Sequence, residues 1–189
     1  MPDAKSVRTS PSDAGGDAAP QVGVLRHRRE AEAWAPAAPG AVFDRLDDQT
    51  RLAEHMSRPS LMMGGGRMTY EFDAGRGQAV GSHIRMGGAA FGLSLFVDEV
   101  VTLRDPPHLK VWRTTGEPRL LVIGGYEMGF TITEEGAGSR VSVWIDYALP
   151  NRGWARWVPA LAELYARWCV RRMVTDAVQH FSSIERQSA

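Results

Sequence analysis

Apolar and polar residues alternate through the middle of the chain, the two-residue period of half-buried β-strands. Met68, Tyr70 and Phe72 alternate with Thr69 and Glu71, and Val80, Ser82, Ile84 and Met86 fall opposite His83 and Arg85. Phe91 to Leu103 is a longer run ended by Asp105-Pro106-Pro107, and Leu109 to Thr115 ends near Pro118. Val122, Gly124, Tyr126, Met128, Phe130 and Ile132 share one face. After a turn over Glu134 to Ser139, Val141, Val143, Ile145 and Tyr147 make a last strand stopped by Pro150. Counting Val24 to Trp34 as the first strand, the pattern predicts an antiparallel sheet of about seven strands with one well-buried face.

The period changes on either side of this block. Pro39 suits the first turn of a short helix that places Val42, Phe43 and Leu46 on one face. Asp47 or Asp48 caps a second short helix through Leu52 and His55, ending before Pro59 and Gly64-Gly65-Gly66. From Trp154 to about Ile184, Leu161, Leu164, Tyr165, Trp168, Cys169, Met173 and His180 recur at helical spacing, with Pro159 in the first turn or at a kink. Val170, Val174 and Val178 form a weaker ridge on the other side of that helix, suited to the short helices or to a partner. The fold class is α+β: a curved sheet wrapped on a long C-terminal helix, with two short helices after the first strand. One helix laid across a curled sheet of this width cannot fill the trough, so a cavity is expected between them.

Residues 1–21 are mostly Ser, Asp, Ala, Gly and Pro, too poor in large apolar side chains to offset the entropy of ordering, and read as a disordered tail. Residues 22–185 form one globular domain and 186–189 a short C-terminal tail. Twenty-two basic residues balance 22 acidic ones, so no overall field favours nucleic acid or anionic lipid. No apolar run approaches the roughly 20 residues that span a bilayer. With no signal-peptide pattern at the N-terminus and a single cysteine, Cys169, a cytoplasmic protein is expected. No intramolecular disulfide can form. Five scattered histidines at 27, 55, 83, 108 and 180 show no metal-ligand spacing, so neither a metal nor a cofactor is expected.

Candidate chemistry lies on the predicted inner face. Met68, Tyr70, Met86, Tyr126, Met128, Phe130 and Tyr147 from the sheet, with Leu161, Tyr165 and Trp168 from the helix, combine thioethers and rings that conform to flat or chain-like apolar ligands. Each also serves as ordinary core. Arg172 falls near the middle of the predicted apolar helix face, where a guanidinium needs a partner. Asp176 at i+4 is the nearest, with Glu99 or Asp146 of the sheet as alternatives, and a ligand carboxylate or phenolate as the functional reading. Cys169, in apolar company, reads as an inert thiol. The glycines from Gly75 to Gly81 mark a hairpin turn, since a strand follows where a dinucleotide-binding helix would begin. Gly64 to Gly66, behind Leu61, Met62 and Met63, suits either a gating segment or a plain loop.

Ala35-Pro36-Ala37 leading into Val42-Phe43, Gly77 to Gly81 entering a strand, Asp105-Pro106-Pro107 before Val111-Trp112, Tyr126-x-Met128-Gly129-Phe130 and the closing helix together resemble the START-like (SRPBCC) superfamily, in its branch named for polyketide cyclase/dehydrase and lipid transport. The resemblance covers roughly residues 24–184 and implies a helix-grip fold whose cavity binds a hydrophobic small molecule. It brings no fixed catalytic motif. Three functions follow as expectations: sequestering or carrying an apolar ligand or lipid, cyclase/aromatase-like catalysis in the same cavity, or a protein-interaction role like that of co-chaperone members. The inner face as predicted offers few groups that titrate near neutral pH. Oligomeric state, a homodimer included, is not written in the sequence.

Overall fold

A computed structural model describes residues 24–51, 68–90, 92–151 and 157–188. Seven strands form one antiparallel sheet: β1 (His27–Ala35), β2 (Met68–Phe72), β3 (His83–Ala90), β4 (Leu93–Asp105), β5 (Leu109–Arg119), β6 (Tyr126–Glu135) and β7 (Gly138–Tyr147). Their order across the sheet is β1-β7-β6-β5-β4-β3-β2. Strands β2 to β7 are a simple meander, and β1 closes against β7 with His27 opposite Tyr147 and Ala35 opposite Ser139. Helix α1 (Pro39–Asp47) follows β1, and α2 (Pro159–Ser188) follows β7.

The period-2 reading places most strands within a few residues. Val80 and Ser82 are exceptions: they sit in the turn before β3, where Asp73 Oδ1 accepts from the Ser82 hydroxyl at 2.5 Å and from the Gly75 amide at 3.0 Å. Val80 is consequently exposed. Val122 and Gly124 precede β6 instead of opening it. Irregular register between Phe96 and Asp98, and again between Val101 and Leu103, interrupts the β4–β5 ladder. Such irregularities bend a strand and add to its twist.

Asp48 caps the turn that starts at Gln49, its Oδ1 accepting from the Thr50 amide at 3.1 Å, while the predicted continuation through Leu52 and His55 lies outside the described residues. So do the Gly64 to Gly66 segment and the 1–21 tail. Pro159 opens α2 as its first residue, the position where the missing amide costs nothing.

The long helix is rotated relative to the expectation. Its fully buried stripe is Ala162, Ala166, Val170, Val174 and Ala177, so the ridge read as secondary is the one that faces the core. Small side chains explain both the geometry and the misreading. Alanine contributes little to an apolar pattern, yet it lets a helix approach closely, and β1 presents Ala31, Ala33 and Ala35 in return. The helix accordingly packs on β1 and β7, while α1 wedges against β6, β7 and α2. Phe43 of α1 meets Phe130 edge-on at 5.6 Å, and Trp112 meets Phe130 from the other side at 6.3 Å. Leu161, Tyr165, Trp168, Cys169 and Met173 are left only partly buried.

An ionic cluster fastens α1 to the sheet. Lys110, with no side-chain exposure, donates to Asp47 Oδ1 at 2.7 Å and to the Asp47 carbonyl at 3.0 Å. Arg104 donates to the same carboxylate at 2.9 Å while lying over the Phe43 ring. Burial opposes the Asp47 charge, but these two cations outweigh it and hold the carboxyl below its ordinary range. Burial also pulls Lys110 below the usual lysine value.

Candidate functional site

The interior polar cluster begins with a break in an apolar stripe. On β4, Leu95, Val97 and Val101 point inward and are buried. Glu99 occupies the same face, between Ile84 of β3 and Thr114 of β5. It is 3% exposed, and among the described residues it forms no ion pair: the nearest buried cation, Lys110, is committed to Asp47. The Tyr126 hydroxyl, from β6, donates to Glu99 Oε1, and Trp112 lies near enough to favour the charged carboxylate. Tyr126 is itself set by Thr114, whose hydroxyl oxygen accepts from the Tyr126 amide at 3.1 Å and whose hydroxyl donates to its carbonyl at 3.3 Å.

Around this pair stand groups from the far edge of the sheet and from the helix. Tyr70 of β2, opposite Met86 and stacked 6.2 Å from Phe72, lies close enough to feel the Glu99 charge. Tyr165 and Cys169, one turn apart on α2, lie against each other, and Tyr165 also senses Tyr70 and Glu99. Trp168 sits 6.1 Å from Tyr165. Thus β2, β4, β6 and α2 converge on one carboxyl group.

Burial dominates the electrostatics. Stripping water from Glu99 pushes its pKa from 4.5 up to about 7, opposed by Tyr126, Trp112 and the distant Lys110 and aided by Asp98. Burial first, then the Glu99 charge, holds Tyr126 well above the ordinary phenol range and raises Tyr70 too. For Tyr165 the neighbouring Cys169 is the larger influence, with burial next. Burial drives the Cys169 thiol up to about 12. The phenols and the thiol therefore stay protonated at neutral pH, and Glu99 alone among them exchanges a proton there. Its sequence signal was available: one carboxylate replacing an aliphatic residue in the run Leu95, Val97, Glu99, Val101.

The structure distributes the candidate residues as follows. Tyr70, Tyr126, Tyr165 and Trp168 come together at the Glu99 cluster. Met86 and Met128 are buried on the inner face of the sheet, whereas Phe130 is locked between Phe43 and Trp112. Tyr147 lies at the β1 side, stacked 5.2 Å from His27. Leu161 is half-buried at the start of α2. Met68 joins β2 by its backbone opposite Gly88, and its side chain lies outside the described residues. Arg172 has the i+4 partner expected of it, Asp176, but its place on the apolar helix face is corrected. Because α2 is turned by its Ala/Val stripe, Arg172 faces outward, about half exposed, and pairs with Asp176 at 2.9 Å. Glu99 is not its partner. His83 faces outward as expected, with Nδ1 2.9 Å from Asp98 Oδ1. His180 is half-buried against Phe181, its pKa lowered by burial and then by Arg45 and Arg51. Among the described residues no helix is long and apolar enough to cross a membrane.

A curved antiparallel sheet gripping a long C-terminal helix defines the helix-grip class. Within it, the chain belongs to the family described as polyketide cyclase / dehydrase and lipid transport, whose model matches residues 26–182. The same fold appears in the two-domain aromatase/cyclase BexL of the BE-7585A biosynthetic pathway (TM-score 0.58, 18% identity, covering 83% of this chain and 50% of that one). It appears in a Thalictrum flavum norcoclaurine synthase point mutant in complex with a transition-state analogue (TM-score 0.56, 14% identity, covering 86% and 96%). It appears again in the Thermus thermophilus protein TTHA0849 (TM-score 0.58, 15% identity, covering 82% and 95%). At these identities the likeness is one of fold. Comparison with curated protein sequences gives no significant match.

Proposed function

We propose that the protein binds an apolar small molecule carrying at least one polar oxygen, between the flank of α2 that bears Tyr165, Trp168 and Cys169 and the β2–β6 part of the sheet. The observation that supports this most directly is the uneven coverage of the sheet. The helix seats itself on β1 and β7, while Tyr70, Tyr165 and Met173 pack against the core and, like Trp168 and Cys169, retain accessible surface. Rings, a thioether and a few convergent polar groups are the usual lining of a small-molecule pocket. The family's description and the presence of ligand-handling enzymes among proteins of the same fold are in keeping with it.

A volume test addresses the reading. If the space beside Cys169 is unfilled, Cys169→Phe should be accommodated at small cost and should abolish binding of 2-tetralone, a bicyclic aryl ketone, followed by tryptophan fluorescence. In a packed interior the same substitution costs about 1–3 kcal/mol of strain. A large fall in stability, with no ketone binding by the parent protein, sinks the pocket reading. Native mass spectrometry of the purified protein provides a second check, through any apolar mass that copurifies with the parent and not with the filled variant. Catalysis in the same space is the second reading, favoured by the titration of Glu99.

A further inference from the structure

Trp157 and Val158, just before α2, and Leu164 within it are exposed, Trp157 by 74% and Leu164 by 47%. Other large apolar side chains left exposed among the described residues belong to other elements: Trp34 to β1, Val80 to the turn before β3, Leu93 and Leu103 to β4. Single apolar residues on a surface are ordinary, whereas a group of them marks a contact. Helical spacing explains the grouping. Ala162, Ala166 and Val170 turn one side of α2 into the core, so Leu164 lies on the outward side, and Arg167 and Arg171 continue the same ridge at i+3 and i+7. Both arginines are exposed, and neither forms an ion pair among the described residues. The acids described on α2 are already engaged, Glu163 with Arg29 at 2.7 Å and Asp176 with Arg172 at 2.9 Å. No acid in the first turn offsets the positive end of the helix dipole. The zero net charge of the chain therefore conceals a local strip that is both basic and apolar.

We propose that this strip docks the protein on an anionic phospholipid surface, with Trp157 and Leu164 entering the headgroup boundary and Arg167 and Arg171 meeting lipid phosphates. The inference stands apart from the pocket reading above. Tryptophan and leucine beside arginine suit a helix seated on a bilayer: the ring and the aliphatic chain leave water while each guanidinium stays among the headgroups. Attraction to anionic lipid accumulates per cation and fades within a Debye length, so two uncompensated arginines on one ridge count even in a neutral protein. Charge disfavours a second copy as the occupant, because an isologous contact would double the uncompensated arginines with no free acid described on α2 to offset them. Docking through this outward ridge leaves the packing of α2 on β1 and β7 undisturbed, so the fold need not open.

The test is co-sedimentation of the full chain with sucrose-loaded vesicles of phosphatidylcholine, alone or mixed with phosphatidylglycerol, at low and high salt. The parent should bind the mixed vesicles at low salt and leave them at high salt. Arg167→Gln with Arg171→Gln should weaken partitioning about 30-fold. Arg113→Gln, the same loss of charge at an exposed position of β5, should leave it unchanged. Leu164→Ser should weaken binding while its salt dependence persists. Trp157→Phe should still bind but lose most of the quenching of tryptophan emission by brominated phosphatidylcholine. Thermal melting of each variant serves as the folding control. No binding of the parent to mixed vesicles, equal binding by the double arginine variant, or quenching indifferent to Trp157→Phe overturns the proposal. Self-association in sedimentation velocity that Leu164→Ser abolishes overturns it in favour of a second copy. Retention on immobilised polyglutamate that depends on Leu164, with the vesicles left unbound, overturns it in favour of an acidic protein.

Discussion

Replacing Glu99 by Gln should make the protein more stable, by an amount that depends on pH. An unfolded glutamate titrates at 4.5, and burial moves the folded group to about 7. Between those values the folded state holds a proton that the unfolded state has released, so stability falls as pH rises through this window and levels off above it. A displacement of about 2.5 units at 1.36 kcal/mol each amounts to roughly 3 kcal/mol. Glutamine imitates the protonated acid: its amide donates to the Tyr126 hydroxyl, which turns to accept. The variant should therefore match the parent near pH 4.5 and exceed it by about 3 kcal/mol at pH 8. For a chain of this length the gain corresponds to about 6–12 °C in melting temperature. Urea denaturation of both proteins at half-unit steps from pH 4.5 to 8.5 measures the difference directly. Parallel stability curves, or a variant that loses stability at high pH, would refute the assignment of Glu99 as a charge held against its own solvation.

Other substitutions probe the remaining framework. Asp47→Asn leaves the unexposed Lys110 ammonium without its carboxylate, and breaking such a buried pair should cost about 3–5 kcal/mol at pH 7 by chemical denaturation. Because Lys110 already titrates below the ordinary lysine range, the deficit should shrink toward pH 10 as the amine sheds its proton; a deficit unchanged across that range would contradict the burial of the charge. Cys169, with its thiol pushed up to about 12, should resist iodoacetamide at pH 8 in the native protein and react once unfolded, as mass spectrometry can count; rapid native labelling would place the thiol in a different environment. Gly138→Ala should be among the most damaging of small changes, since a β-carbon there would stand 2.3 Å from the Ala35 carbonyl oxygen and 2.6 Å from the Trp34 ring. A melting temperature within a degree of the parent would show that the β1–β7 contact yields more readily than its geometry implies.

The sheet was legible because its period is two and its punctuation strong: Asp105-Pro106-Pro107 and the Glu134 to Ser139 turn fall where strands end. Helix α2 was legible as a helix and misleading in its rotation. A pattern weighted toward Leu, Tyr and Trp selects the flank that faces the proposed pocket, whereas the seam against β1 is written in Ala162, Ala166 and Val170, whose small size is the point of contact. Arg172 followed that rotation to the outside. Of the site, the aromatic members could be collected from alternation alone, but their meeting point could not, because it depends on four elements far apart in the chain. Glu99 was visible as an interruption in an aliphatic run, but naming it only as an alternative partner for Arg172 left aside its more telling property, burial with no ion pair among the described residues.

The final helix has β1 as its principal neighbour, and β1 in turn pairs with β7. During synthesis β1 must wait for β7, whose Asp146 accepts from Arg28 at a separation of 118 in the chain, and the seam on α2 emerges later still. Such long-range closure is slow and late. The pocket proposed above would gain its roof only when translation has delivered the last turns of α2, so a ligand would be taken up by the finished molecule and would not serve as a template around which the nascent chain assembles.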